Sequence, residues 1–222
     1  MSGSVFKSSE VADRLRPFMQ KWIDEKFSTQ ANIEDQGAGF AIILYDTANK
    51  KERYYSFTEA GLAGALAADA SGDMILLPPG TLTLTAGITV SAGVGLIGAG
   101  GDRKTILQSS GDIGQFVILS SASIIDNVYV NNSTANNAAA RYAIYANNGI
   151  VLRCRAQCIN AGAGKATGIY LLGTSAMAKE SHGIGTNNGG GAGVGIYLLN
   201  GPYAYDCIGE GSTTGFEIQQ AV

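Results

Sequence analysis

The sequence predicts a mainly β chain wound into a solenoid of stacked coils. One observation is the stretch 72–107, where short apolar runs (72–84, 87–90, 93–102 and 104–107) are separated by Gly, Pro and small polar residues. Each run is too short for a globular helix, and its β-branched, alternating composition favours a strand. Pro78-Pro79-Gly80 removes two successive backbone donors and so marks a corner. A second observation is repetition. Gly168-Ile169-Tyr170-Leu171-Leu172 returns as Gly195-Ile196-Tyr197-Leu198-Leu199, with Ala143-Ile144-Tyr145 before it and Gly215-Phe216-Glu217-Ile218 after it. Taking Ile144, Ile169, Ile196 and Phe216 as equivalent gives intervals of 25, 27 and 20 residues, the period of a solenoid. Third, Asn-Asn pairs at 131–132, 136–137, 147–148 and 187–188, and the run Gly189-Gly190-Gly191, fall between the apolar segments. Asn and Gly tolerate the left-handed backbone that tight corners need. The Leu-x-x-Leu-x-Leu-x-x-Asn signature of leucine-rich repeats is absent.

The same stretch carries a resemblance. Gly-Asp-x-Ile-x-Leu-Pro-Pro-Gly-Thr-x-x-Leu from Gly72, then Gly-Ile-Thr-Val from Gly87 and Gly-Val-x-Leu-Ile-Gly-Ala-Gly-Gly from Gly93, resembles the first coils of the pectate-lyase-like parallel β-helix proteins. The likeness is close over residues 57–107 and loose over the later coils. It implies a right-handed single-stranded parallel β-helix. The superfamily holds polysaccharide lyases and hydrolases as well as phage tailspike and tail-fibre proteins, so the fold alone does not choose an activity.

Composition bounds the rest. A chain of 222 residues allows one domain with a real core plus an appendage. Charged residues are 15% of the chain, so much of the surface must be Asn, Ser, Thr and Gly. A net charge of −3 offers no electrostatic case for nucleic acid. No segment approaches ~18 consecutive apolar residues, so no membrane span is expected. No apolar stretch of the secretory type follows Met1. Cys154, Cys158 and Cys207 lie in no metal-binding spacing and read as small buried hydrophobes. Neither a metal nor a cofactor is expected.

In chain order, residues 1–36 are expected to form a helical anchor and linker. Val11, Leu15, Phe18, Met19, Trp22, Ile23 and Phe27 make one stripe at helical spacing, with charged residues opposite. The stripe either caps the chain's own first coil or docks on other chains. Residues 37–71 read as two leading strands (40–45 and 53–57) and a short capping helix near 59–69, with Thr58 as N-cap. Residues 72–222 are the β-helix, with Ile144, Ile169, Ile196, Cys154, Cys158 and Cys207 buried. A second register aligns Ala156-Gln157-Cys158-Ile159 with Tyr205-Asp206-Cys207-Ile208. Tyr145, Tyr170 and Tyr197 should form an exterior column, either an ordinary ring stack, a face between subunits or a carbohydrate platform. Residues 215–222 read as one more coil strand, so the chain is expected to continue into a longer protein or to end against a partner.

Lyases of the resembled type need clustered acidic Ca²⁺ ligands and a base, and hydrolases need two carboxylates flanking the scissile bond. The coil region has no Asp-x-Asp or Asp-Asp pair. Its best constellation for catalysis is Glu180, His182, Asp206 and Glu210, a weak one around the only histidine. The balance is against an enzyme. The resemblance and the amphipathic N-terminal segment together imply a phage virion structural protein, a tail spike or tail fibre. Such a protein is expected to be a homotrimer about its long axis, to attach to a tail or baseplate protein through residues 5–27, and to meet host-surface polysaccharide. A polysaccharide lyase or glycoside hydrolase of the pectate-lyase-like group is the first alternative, and a bacterial β-helical adhesin or filament subunit, extracellular in location, the second.

Overall fold

The structure, a computed structural model, describes residues 41–99, 104–133 and 139–219. The apolar stripe from Leu15 to Phe27 lies outside the described residues. The chain divides into two units, Met1–Phe40 and Ala41–Val222, and all that follows concerns the second.

Two strands lead in. β1 (Ala41–Asp46) and β2 (Lys51–Ser56) form an antiparallel hairpin. Its turn is tied by Asp46, whose carboxylate accepts from the Asn49 backbone and side-chain nitrogens, each at 2.9 Å. Helix α1 (Glu59–Ala67) follows. Its N-cap is Thr58, as the sequence predicts, with Oγ1 accepting from the Gly61 N–H at 3.1 Å. Leu62 and Ala65 are fully buried and join the solenoid core. Glu59 accepts from the N–H and hydroxyl of Thr85 at 2.7 and 2.8 Å, which fastens the helix to the first coil. The Thr85 hydroxyl, more than any other contact, holds the Glu59 carboxyl below its ordinary range.

The remaining strands wind into a parallel β-solenoid of three sheets. The first sheet stacks β3 (Met74–Leu77), β6 (Gly95–Gly98), β9 (Ile124–Asp126), β12 (Ile150–Leu152), β15 (Met177–Lys179) and β18 (Tyr203–Tyr205). The second stacks β4 (Gly80–Leu84), β7 (Thr105–Ser109), β10 (Val128–Asn132), β13 (Arg155–Asn160), β16 (His182–Asn187) and β19 (Ile208–Gly211). The third stacks β5 (Ile88–Val90), β8 (Gln115–Leu119), β11 (Arg141–Asn147), β14 (Ala166–Leu172), β17 (Gly193–Leu199) and β20 (Thr214–Gln219). Each rung therefore supplies one strand to each sheet. β1 pairs antiparallel with β3, so the hairpin extends the first sheet past the first rung.

The expected register is the observed one in the third sheet. Ile144, Ile169, Ile196 and Phe216 are direct ladder partners, and so are Tyr145, Tyr170 and Tyr197. Ile144, Ile169 and Ile196 have no exposed surface, whereas Phe216, on the sixth rung, is 42% exposed. Truncating Ile169 to alanine is expected to cost about 2–5 kcal/mol, the range for a core aliphatic that leaves a cavity. A shift in urea midpoint at unchanged slope is the readout.

The second proposed register does not hold. Cys158 pairs with Gly185, and Gly185 with Gly211, while Cys207 sits at the corner that Cys154 occupies two rungs earlier. The local likeness around the two cysteines compared a strand interior with a corner. Cys154 and Cys158 are fully buried, but Cys207 is only half-buried, because it lies on the sixth rung.

One feature of the interior was not expected. Facing columns lose side-chain volume rung by rung. In the second sheet Leu82, Leu107, Val130, Ala156, Gly183 and Gly209 are successive partners. In the third sheet Phe116, Ala143, Gly168, Gly195 and Gly215 occupy the position between two paired columns. With no side chains between them, the two sheets converge until backbone meets backbone. A Cβ on Gly183 would lie 2.3 Å from the Gly195 carbonyl oxygen, and one on Gly209 would lie 2.2 Å from that of Gly215. The core is thus wide under α1 and narrow at rungs five and six.

Candidate functional site

Three groups of outward residues could carry chemistry, and each is positioned by a corner or a ladder. The first is the corner between the first and second sheets. Asn127, Arg153, Glu180 and Asp206 occupy it on successive rungs, each in the left-handed conformation with φ of 57°, 48°, 52° and 50°. Their backbones are stitched along the axis, with Asn127, Arg153 and Glu180 N–H groups donating to the carbonyls of Leu152, Lys179 and Tyr205. Arg153 donates through Nε to Asp126 Oδ1 at 2.8 Å and also pairs through Nη2 with Asp126 Oδ2. That hydrogen bond raises the Arg153 pKa, and Asp126 itself is 3% exposed. Glu180 and Asp206 are therefore corner residues first. A non-glycine residue in this conformation costs conformational energy, which the axial hydrogen bonds offset.

His182 and Glu210 lie on the outer face of the second sheet, one rung apart. His182 Nε2 is 3.2 Å from Glu210 Oε1, but the alignment does not make a hydrogen bond and the nitrogen is shielded from solvent. The contact is an ion pair only when the imidazole is protonated. Arg155 is the ladder neighbour of His182 on the preceding rung. Its guanidinium lies 5.2 Å from the centre of the Tyr129 ring. Of the four residues read as a constellation, the structure pairs His182 with Glu210 and places Glu180 and Asp206 in the corner column. Among the described residues no group of three or more His, Cys, Asp or Glu could hold a metal ion.

The third group is the tyrosine column. Tyr145 and Tyr170 stack at 5.0 Å and 9°, and Tyr170 and Tyr197 at 4.8 Å and 6°. Tyr142 meets Tyr170 edge-on at 4.9 Å. The stack runs along the solenoid axis, so both faces of the Tyr170 ring are covered by its neighbours. Burial pushes the Tyr170 hydroxyl up to about 12, so it remains protonated at neutral pH. Tyr197 is only 6% exposed, although its position is outward. Lys165 reaches over the Tyr197 ring at 4.4 Å and pairs with Glu217 at 3.1 Å, and the Tyr197 hydroxyl donates to Gln219. The end of the column is closed by a lysine–carboxylate clamp.

Some polar devices were not legible as such. Arg141 is fully buried and donates to the Ile113 carbonyl and to Asn132 Oδ1 at 3.1 Å, with Asp112 at 3.6 Å. Asn132 in turn donates to the Ile113 and Tyr142 carbonyls. Asn187 belongs to an Asn-Asn pair suited to a left-handed corner, but its backbone is not left-handed. It works instead through its side chain, which accepts from Gly189 and Gly191 N–H and donates to the Gly162 and Gly164 carbonyls. The sequence signal for it is Asn-x-Gly-x-Gly, present at 160–164 and again at 187–191, whose asparagines are ladder partners.

Comparison with protein-family models, with curated proteins and with solved structures finds no match.

The thiols follow burial. Burial pushes the Cys158 thiol up to about 12 and raises Cys207 as well. Alkylation of the native chain at neutral pH is expected to reach Cys207 first and to spare Cys154 and Cys158 until urea unfolds the solenoid. Mass mapping of the labelled peptides reads the order, and early labelling of Cys158 would contradict the packing described.

Proposed function

We propose that this chain is a structural β-helical element of a phage tail spike or tail fibre. In this reading it is a homotrimer about its long axis, attached to a tail or baseplate protein through residues 5–27 and meeting host-surface polysaccharide. The observation that carries the reading is how the outward polar groups are used. Asp126–Arg153, Lys165–Glu217, His182–Glu210, Tyr129–Gln157 and Tyr197–Gln219 all join different rungs of the solenoid. Side chains spent on axial locks favour a stiff shaft over a catalytic cleft. The tyrosine stack supports the same reading, since rings that cover one another offer edges and hydroxyls rather than faces to a sugar.

The His182–Glu210 contact is the specific observation favouring a polysaccharide-degrading enzyme, since it sets an imidazole nitrogen and a carboxylate oxygen 3.2 Å apart. Purified chain incubated with a panel of capsular polysaccharides separates the two readings. A structural shaft releases no reducing sugar and no unsaturated uronate absorbance, and a positive result abolished by His182→Gln would establish the enzyme. Antibody labelling of native particles in negative stain then tests the virion location. Light scattering of the intact chain beside one lacking residues 1–36 tests the trimer, and a monomer in both would refute it.

A further inference from the structure

Four polar side chains meet on the outer face of the third sheet, over rungs four to six. Lys165, at the entrance to β14, reaches along the axis to Glu217 on β20. Its Nζ donates to Glu217 Oε1 at 3.2 Å and to Oε2 at 3.1 Å. Gln219, on the same strand, donates through Nε2 to that Oε1 at 3.0 Å. The Tyr197 hydroxyl donates to Gln219 Oε1. An amine and a carboxamide therefore share one carboxylate oxygen, and a phenol holds the carboxamide's carbonyl.

Each contact has a chemical use. A primary amine that attacks a carboxamide needs a base to take its proton, a donor for the developing oxyanion and an acid for the departing nitrogen. Glu217 touches both nitrogens, so one carboxylate can take a proton from the amine and return it to the leaving group. Tyr197 sits on the oxygen where negative charge develops. Burial, with the Glu217 charge second, raises the Tyr197 pKa, so the hydroxyl keeps the proton it donates. The Tyr197 ring also lies 4.4 Å beneath Lys165 Nζ and shields one side of the amine from water. Glu217 and Gln219 alternate outward on β20, and their ladder partners Tyr197 and Leu199 fix the register. Holding reactants in this way turns a slow bimolecular reaction into an intramolecular one.

We infer that the folded chain joins Lys165 to Gln219 through an isopeptide bond, with Glu217 as the proton shuttle and Tyr197 as the oxyanion donor. Glu217 takes a proton from the Lys165 ammonium, and the neutral Nζ attacks Gln219 Cδ. The carbonyl electron pair moves onto Oε1, where the Tyr197 hydroxyl meets it. The Glu217 carboxyl proton passes to Gln219 Nε2 as the Cδ–Nε2 bond breaks. The new amide nitrogen gives its extra proton through Glu217 to the departing ammonia, which leaves as ammonium. One ammonium replaces another, so charge is conserved and no oxidant, reductant or cofactor is required. The bond links residues 52 apart in sequence and ties rung four to rung six across Tyr197 of rung five. It needs only the folded chain and so stands apart from the virion reading.

The test is incubation of the purified intact chain in mildly alkaline buffer, which favours the neutral amine, followed by intact mass measurement and peptide mapping. The native chain is expected to lose the mass of one ammonia and to yield a branched peptide joining Lys165 to Gln219. The branched peptide decides, because ring closure at an Asn-Gly pair loses the same mass. Concentrated urea should stop the reaction, which needs the four groups assembled. Lys165→Arg keeps a cation opposite Glu217 but offers no competent nucleophile, and must give no branched peptide. Glu217→Gln and Tyr197→Phe should each slow bond formation about 100-fold or more, the scale for losing a proton-transfer group or an oxyanion donor. No branched peptide in the aged native chain, its formation in urea at the native rate, or an undiminished rate in Glu217→Gln would each overturn the inference.

Discussion

Replacing Arg141 with alanine is expected to destabilise the solenoid by about 3–5 kcal/mol. Arg141 has no exposed surface and is among the largest fully buried side chains of the described residues. Its guanidinium binds the Ile113 carbonyl and Asn132 Oδ1, at the corner where the second sheet passes into the third. Removing it strands the buried Asn132 Oδ1, leaves the Ile113 carbonyl with its bond from Asn132 Nδ2 alone, and opens a cavity as well. The ion pair with Asp112 contributes little to that figure, since the Asp112 side chain is 43% exposed and well screened. Arg141→Met separates the terms. It refills most of the volume without restoring a donor, so it should recover only the cavity part of the loss. Urea unfolding of both variants measures this, and a loss below about 1 kcal/mol for the alanine variant would show that the network contributes specificity rather than stability.

Gly195→Ala should be as damaging, through the opposite defect. A Cβ at Gly195 would lie 2.3 Å from the Glu210 backbone nitrogen and 2.7 Å from Gly209 Cα. Both are main-chain atoms of the facing sheet, so no rotamer change relieves the clash. The two sheets must separate along rungs five and six, at a cost of about 3 kcal/mol or more, the upper range for overpacking. Gly114→Ala is the control. Its Cβ would have the Ala140 carbonyl oxygen at 3.9 Å as its nearest neighbour, and its effect should stay within ~0.5 kcal/mol. Equal melting temperatures for the two variants would contradict the convergence of the sheets.

How far the sequence reached depended on what each signal was made of. The repeat around Ile144, Ile169 and Ile196 is a local pattern of inward and outward residues, and stacking reproduces it directly as ladder partners. Thr58 could be read as an N-cap because capping is decided within three residues. The alignment of Cys158 with Cys207 failed because similar tetrapeptides occur at both strand and corner positions, and only the rung assignment tells them apart. The four residues read as a constellation divide between two kinds of position for a related reason. Glu180 and Asp206 are held by corner backbone geometry, whereas His182 and Glu210 project from strands.

By itself the sequence determined the solenoid, its period, the buried isoleucine column, the capping helix and the tyrosine column. All of these rest on periodicity or on contacts between residues close in the chain. Only the tertiary structure decided that the core narrows, that Arg141 is buried, and that Tyr197 is covered by Lys165 and Glu217. The physical reason is that each depends on residues about one or two rungs apart, or across the interior. Nothing in the local sequence marks the role of Gly183 or Gly195 until the register places another backbone against it. There its lack of a side chain lets two sheets touch.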